Sequence, residues 1–138
     1  MAERSIRPKT FSRLELPLKL NAVAEAGNIA CIDTADGSLV PGAVSTTLIP
    51  IGVFESSMTG DGSALIGVKL FTEIECYAFI NSSTGPVAAA NRMANCYLHS
   101  SYEVSMTATG KSVAGKVIDI QGSGAGAVVW VQTALAGG

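Results

Sequence analysis

The chain has 138 residues, of which 48% are apolar and 14% are charged, and its formal net charge is −2. This length suits a single domain that buries its own core without disulfides or metals. The N-terminus is polar, and no apolar run approaches the ~20 residues of a membrane-spanning helix, so we expect neither a signal peptide nor membrane association. The low charge content leaves two interpretations open: a β protein rich in small residues, or a surface partly covered by a partner.

Basic side chains are concentrated at the start of the chain. Residues 1–19 carry five basic and two acidic side chains, a net charge of +3, and the remaining residues carry four basic and nine acidic, a net charge of −5. We predict that residues 1–13 form a basic arm, either lying on an acidic neighbour or disordered. The cations are spaced without interleaved aromatic residues, which disfavours specific nucleic-acid binding.

Residues 14–20 alternate leucine with polar residues or proline. Four leucines point to one face, and Glu15, Pro17 and Lys19 point to the other. A period of two predicts a strand with one face on the core. Because Pro17 lacks an N–H, we predict an edge strand, to which a second subunit could add.

Short β-like runs follow, and turn residues separate them. We expect one helical turn around residues 22–26. Asp36-Gly37 predicts a hairpin turn, since glycine accepts positive φ freely. Pro50 and Gly52 predict a bulge in a strand over residues 48–54, and residues 56–63 predict a second hairpin-like turn.

The second half begins with another alternating run, over residues 73–80. Tyr77 and Phe79 share one face, which is either a second core face or an exposed patch. Pro86 suits the first turn of a helix, and we predict one over residues 86–94. Further strands are expected at residues 96–98, 102–106, 113–120 and 128–131.

These segments predict an all-β domain of nine or ten strands over residues 14–132. We expect an antiparallel sandwich or a partly closed, jelly-roll-like barrel with one short helix, because no strand alternates with a long helix. Residues 133–138 are predicted to be a flexible tail.

Catalytic motifs are not found in the sequence, and we predict no enzymatic activity, cofactor or metal. His99 is the single histidine, and it lies in a serine-rich turn without a nucleophile motif. Glu73 and Glu75 share a strand face, as paired hydrolase carboxylates can, but such spacing is more typical of a solvent face.

Other reactive or ligand-binding residues have ordinary structural interpretations. Residues 122–126 are glycine-rich but lack the lysine and the helix of a phosphate loop, so we predict a hairpin loop. The aspartates at 33, 36 and 61 suit turns better than calcium loops. We expect Cys31, Cys76 and Cys96 to be buried free thiols.

An ordered set of segments carries a family resemblance that covers about residues 14–132. The segments are Gly27-Asn28-Ile29-Ala30, the Asp36-Gly37 turn, Val40-Pro41, Gly52-Val53, the helix over 86–94, Cys96-Tyr97-Leu98, Tyr102-Glu103-Val104 and a closing hairpin from residues 114–120 to Val129-Trp130-Val131. In this order they resemble the capsid cement, or head decoration, proteins of tailed bacteriophages.

The resemblance implies a virion protein that is made in the bacterial cytoplasm and binds the capsid exterior. It would attach as a homodimer or homotrimer where major capsid protein subunits meet, and would reinforce the DNA-filled head. The residues expected to contact the capsid are Arg4, Arg7, Lys9, Phe11, Arg13, Leu14, Leu16 and Leu18.

Two alternatives stay open. In the first, the chain is another virion β-domain, from a tail or a spike. In the second, it is a β-barrel that binds a small ligand or hydrolyses one. The hydrolytic alternative would use His99, Glu73 and Glu75.

Overall fold

The computed structural model of the protein describes residues 12–72 and 75–133. Twelve strands and a single 3-10 turn, Ala89–Asn91, occur in these residues, so the all-β prediction is confirmed and the strand count is slightly higher than expected. The strands are β1 Arg13–Pro17, β2 Val23–Ala24, β3 Ile29–Asp33, β4 Ser38–Pro41, β5 Leu48–Phe54, β6 Met58–Thr59, β7 Leu65–Leu70, β8 Cys76–Asn81, β9 Asn95–Leu98, β10 Glu103–Ser105, β11 Val113–Gln121 and β12 Val128–Gln132.

The first half of the chain forms a curled antiparallel sheet, called here the open sheet. Its strand order is β1-β7-β5-β3-β4, so β1 lies at one end of the sheet, as predicted. The curl brings the two ends together just after β1, where Leu18 forms a parallel bridge with Leu39 of β4. Strands β2 and β6 form a separate two-stranded ladder.

Two local predictions for the open sheet are confirmed. Strands β3 and β4 form a hairpin, and Gly37 in its turn has φ +76°. Ala30 and Cys31 are adjacent in β3, but their partners in β5 are Gly52 and Pro50. Ile51, which lies between these partners, is therefore the extra residue of a bulge.

The second half of the chain closes into a five-stranded barrel in the order β10-β8-β12-β11-β9. Its ladders are antiparallel except for the short parallel pair of β10 with β8. Strands β11 and β12 form the closing hairpin that the sequence predicted. Closure pairs every barrel strand on both sides, so among the described residues the unpaired strand edges belong to the open sheet and to the β2–β6 ladder.

Two hydrophobic cores hold the molecule together. One fills the barrel and also includes Ile29, Cys31, Leu48 and Phe71 from the first half of the chain, so the open sheet packs against the barrel. The other lies inside the curl of the open sheet and includes Leu18, Leu39, Phe54 and Val68. Each half therefore has its own core, and side chains of the open sheet link the two.

The aromatic pair on β8 belongs to the barrel core. Phe79 is 2% exposed, and the ring of Tyr77 meets Phe71 edge-on at a centroid distance of 4.9 Å. The opposite face of β8 points outward, so Cys76 is exposed. The prediction that all three thiols are buried is thus wrong for Cys76 and confirmed for Cys31 and Cys96.

The helix predicted over residues 86–94 is reduced to the 3-10 turn. Val87 uses both of its backbone groups in bonds to the Asn81 side chain. Met93 has φ +68°, and its N–H donates to the carbonyl of Val117 at 2.6 Å. Bonds to the barrel therefore replace the intrahelical bonds that the alanine-rich sequence favours.

The helical turn predicted around residues 22–26 is also wrong, because β2 pairs there with β6. Asn21, at φ +69°, turns the chain into this ladder and donates its N–H to the carbonyl of Gly60 at 2.9 Å. The same turn moves Leu20 off the core face, and its side chain is 61% exposed. Only three of the four leucines predicted to share a face therefore do so.

Candidate interaction surfaces

Among the residues that the structure describes, no strand pairs with the outer edge of β1 along Arg13–Glu15, which is called here the open edge. On its inner side, Leu70 donates its N–H to Ser12 at 3.0 Å and Leu18 donates its N–H to Ala64 at 3.3 Å. Because hydrogen-bonding direction alternates along an antiparallel strand, the backbone groups of Arg13 and Glu15 point away from β7. The outer edge thus offers two N–H donors and ends at Pro17, which has none.

The side chains of β1 divide between core and surface. Leu14 and Leu16 are half-buried and pack against the core of the open sheet, whereas Leu18 is fully buried. Leu18 was predicted to contact the capsid, and this prediction needs correction because the Leu18 side chain is inaccessible in the folded protein. Arg4, Arg7, Lys9 and Phe11, also predicted as contacts, lie outside the described residues.

Arg13 is engaged in ion pairs within the chain. Its guanidinium donates to Glu55 at 2.6 Å and to Glu15 at 3.2 Å. The hydrogen bond from Arg13 lowers the pKa of Glu55, and the bonds to Glu55 and then Glu15 raise the pKa of Arg13. A Cβ at Gly67 of β7 would collide with the Glu55 carboxylate and the Arg13 guanidinium, so glycine makes room for this pair.

A second surface is a groove of about 670 Å³ between the start of β5 and the start of β11, called here the β5–β11 groove. Its apolar wall includes Leu48, Ile49 and Pro50 on one side and Val113 and Ala114 on the other. Ile49 and Val113 are 44% and 46% exposed, and they line the same groove. The groove therefore presents apolar surface from both halves of the chain.

Ser112 fixes the two walls of the groove relative to each other. Its hydroxyl oxygen accepts the N–H of Leu48 at 3.1 Å, and the hydroxyl donates to the carbonyl of Ser45 at 2.6 Å. Ser112 is 7% exposed, so these bonds are shielded from water. The groove is thus a preformed feature of the fold, and nothing in the local sequence pattern indicated it.

Two lysines give the groove a positive charge. Lys111 and Lys116 both line it, and within residues 12–72 and 75–133 neither forms an ion pair. The other cations of this part of the chain, Arg13, Lys19, Lys69 and Arg92, are all paired. No described carboxylate lines the groove, so the two ammonium groups are not neutralised there.

The residues considered for a hydrolytic site are far apart. Glu75 lies just before the first residue of β8, whereas His99 donates its N–H to Glu103, which pairs with Ile80 near the end of β8. Five residues of strand separate these positions, about 16 Å along the barrel. Glu73 lies outside the described residues. His99 and Glu75 therefore cannot act on one substrate atom.

Glu75 has structural partners of its own. Its carboxylate accepts hydrogen bonds from Thr72, Tyr77 and Lys69, and the bond from Thr72 is the largest cause of its lowered pKa. Within the described residues, no group of three histidine, cysteine, aspartate or glutamate side chains is arranged to hold a metal ion.

The aspartates and the glycine-rich segment have the structural roles that the sequence suggested. Asp33, Asp36 and Asp61 each accept the N–H of the residue two positions later, which stabilises turns. Residues 122–126 connect β11 to β12, and their backbone bonds to Asn81 through Gly124 and Gly126. The segment is a fixed hairpin loop.

Comparison with known proteins gave no match: no family model fits the chain, and no curated protein or solved structure is significantly similar to it. Among the helices of the described residues, none has the length and hydrophobicity needed to cross a membrane.

Proposed function

We propose that this protein is a structural component of a tailed-bacteriophage head, which binds the outside of the capsid and cements major capsid protein subunits together. The observation that carries the proposal is the open edge of β1, which directly follows the basic N-terminal segment. The ordered resemblance to cement proteins supplies the partner. The proposal assigns the chain a role in adhesion, without catalysis or a cofactor.

The β1 edge has the chemistry required for adhesion to another chain. Unpaired N–H and C=O groups of Arg13 and Glu15 can continue a ladder onto a strand of a shell subunit. Half-buried Leu14 and Leu16 add apolar area beside the same edge. Pro17 limits the ladder to a few residues, so one contact of this kind is weak.

Weak contacts suffice on a repetitive shell. A homodimer or homotrimer presents two or three β1 edges at once, and simultaneous binding multiplies affinity through effective concentration. Arg4, Arg7 and Lys9 in the basic N-terminal segment add attraction to acidic surface on the shell, whereas Arg13 and Lys19 are already ion-paired within the chain. The same arrangement predicts strong dependence of binding on ionic strength.

The first experiment is to sediment particles from a lysate of the source and to count copies of this chain relative to the major shell protein. A ratio near one-to-one supports a cement protein that covers the lattice. A handful of copies per particle assigns the chain to the tail or spike. Absence from particles overturns the proposal.

A second experiment tests the edge itself by rebinding purified protein to particles stripped of it. Glu15→Pro removes an outward N–H, while Glu15→Ala removes only the side chain and is the matched control. We expect at least tenfold weaker rebinding for Glu15→Pro and less than a threefold change for Glu15→Ala. Equal binding by both, with native β circular dichroism, rules out ladder extension at β1.

Deletion of residues 2–12 tests the arm separately. We expect weaker binding with an unchanged β circular dichroism spectrum, because the deletion leaves β1 to β12 intact. Unchanged binding would refute the role of the arm.

A further inference from the structure

We propose that the β5–β11 groove binds an extended segment of a partner polypeptide whose apolar side chains are flanked by carboxylates. The groove is formed by residues other than those of the β1 edge. The inference is therefore independent of the capsid proposal, and each can fail without the other.

The apolar wall defines the centre of the ligand. Ile49 and Val113 are nearly half exposed on opposite walls, and Leu48, Pro50 and Ala114 lie beside them. Covering such side chains removes apolar surface from water, which favours binding. A volume of about 670 Å³ lies within the range of specific ligand sites.

The charges define the ends of the ligand. Lys111 and Lys116 are the two cations without an ion pair among the described residues, and both line this groove. Lys111 and Lys116 are five positions apart, and the irregular register between Val113 and Gly115 bends the chain between them, so their Cα atoms lie at most about 16 Å apart. Carboxylates four to six residues apart on an extended partner would meet both ammonium groups.

The backbone of β5 defines how such a segment is held. Strand β7 pairs with β5 only from Gly52 onward, so within the described residues Leu48, Ile49 and Pro50 have no strand on that side. The N–H of Leu48 already bonds to Ser112, and Pro50 has no N–H. A continuous ladder is thus prevented here, and side-chain contacts and charge must provide recognition.

A polypeptide fits the groove better than a nucleic acid does. No aromatic side chain of the described residues lines it, so bases would have nothing on which to stack. The apolar wall would also remove water from phosphates without replacing their hydrogen bonds. Carboxylates at the two ends of an apolar segment avoid this cost, because each faces an ammonium group.

The test uses the full chain to select from a yeast-displayed library of random eight-residue peptides. We expect the selected peptides to carry two acidic residues four to six positions apart around aliphatic residues. The best of them is then synthesised with a fluorescent label, and its affinity is measured by anisotropy. A hexathymidylate oligonucleotide with the same label is measured in parallel.

Two pairs of variants make the test specific. K111E/K116E should weaken peptide binding at least tenfold, whereas K19E/K69E makes the same change of net charge outside the groove and should change it less than twofold. I49S/V113S should also weaken binding at least tenfold, and thermal melting checks that these exposed substitutions leave the fold intact.

Several outcomes overturn the inference. They are failure to enrich any peptide, selected peptides that bind K111E/K116E as tightly as the parent, and tighter binding of the oligonucleotide than of the peptide. Loss of shell binding in Glu15→Pro with peptide binding intact would show that the two surfaces act separately.

Discussion

The side chain of Asn81 pairs with the backbone of Val87 as if it were a neighbouring strand. Its Nδ2 donates to the Val87 carbonyl at 2.9 Å, and its Oδ1 accepts the Val87 N–H at 2.8 Å. The same Nδ2 also donates to the carbonyl of Gly124 at 3.0 Å. Asn81 is 1% exposed, so one buried amide secures both the 86–88 segment and the β11–β12 loop.

Asn81→Leu should therefore be among the most destabilising substitutions in the chain. It keeps the number and branching of the side-chain heavy atoms but leaves the buried N–H and C=O of Val87 without partners, at about 1–3 kcal/mol each before relaxation. The exposed Gly124 carbonyl keeps the bond from the Ala127 N–H. We expect a loss of at least ~2 kcal/mol in the free energy of unfolding, measured by urea denaturation. Asn91→Leu is the control, because it removes one exposed bond to the Ala88 N–H and should cost about 1 kcal/mol. Equal losses would contradict this role of Asn81.

Gly52→Ala tests the close approach of β5 to β7. A Cβ at Gly52 would collide with the backbone carbonyl of Lys69, which cannot move without breaking the ladder. We expect a cost above ~3 kcal/mol, since the strain adds to the loss of strand pairing. Gly110→Ala is the control: its φ is +72° but nothing lies within 4 Å, so about 1–2 kcal/mol is expected. Thermal melts of both variants decide the comparison.

The Asp36 carboxylate should make the stability of the protein sensitive to acid. Hydrogen bonds from Ser38, and then from Lys19, lower the pKa of Asp36 from 3.8 to about 2. A lowered pKa in the folded state stabilises the fold above the unfolded value, and this contribution is lost as the pH falls from about 4 to about 2. Asp36→Ala should melt at a lower temperature than the parent at pH 7, and the difference should shrink steadily between pH 4 and pH 2.

Lys19→Ala separates the two causes of that shift. Because the bonds from Ser38 are the larger cause, the parent protein and Lys19→Ala should lose stability over the same acidic range. If Lys19→Ala instead abolished the pH dependence that Asp36 confers, the ion pair would be the dominant cause.

The three thiols should react at very different rates. Burial raises the pKa of Cys31 and of Cys96 to about 12, whereas Cys76 is exposed. Because the thiolate is the reactive form, iodoacetamide at pH 8 should modify Cys76 alone in the folded protein. Mass spectrometry should find one adduct, none in Cys76→Ser, and three in the parent after denaturation. Rapid modification of Cys31 or Cys96 in native protein would contradict the burial.

Local patterns in the sequence predicted much of the open sheet. The alternation around Leu14 and Leu16 identified a strand, and Pro17 identified it as an edge strand. Asp36-Gly37 identified a turn, and Pro50 with Gly52 identified a bulge. These features depend on residues within a few positions of one another, where backbone preferences decide the conformation. The interpretation of residues 86–94 failed because bonds to Asn81 and Val117, distant in sequence, override helix propensity.

The candidate surfaces were harder to predict, because they join distant segments. Ile49 and Val113 meet across a groove although 64 positions separate them in the chain. Among the described residues, Lys111 and Lys116 stand out as cations without an ion pair only once the ion-pair partners of the other cations are known. One local signal was available for Asn81: an amide directly after Phe79 and Ile80, in an apolar strand, indicates a buried polar group with a specific partner.

The two closures of the molecule differ in strength, and this difference has a dynamic consequence. Each barrel strand is held by ladders of two or more residue pairs, whereas the open sheet meets itself at the single Leu18–Leu39 bridge, which includes the bond from the Lys19 N–H to Leu39 at 3.1 Å. Local opening is most frequent where few hydrogen bonds must break. Amide hydrogens of β1 should thus exchange with solvent well before those of β12. Each opening also exposes the leucines of β1, the strand whose outer edge can pair with another chain.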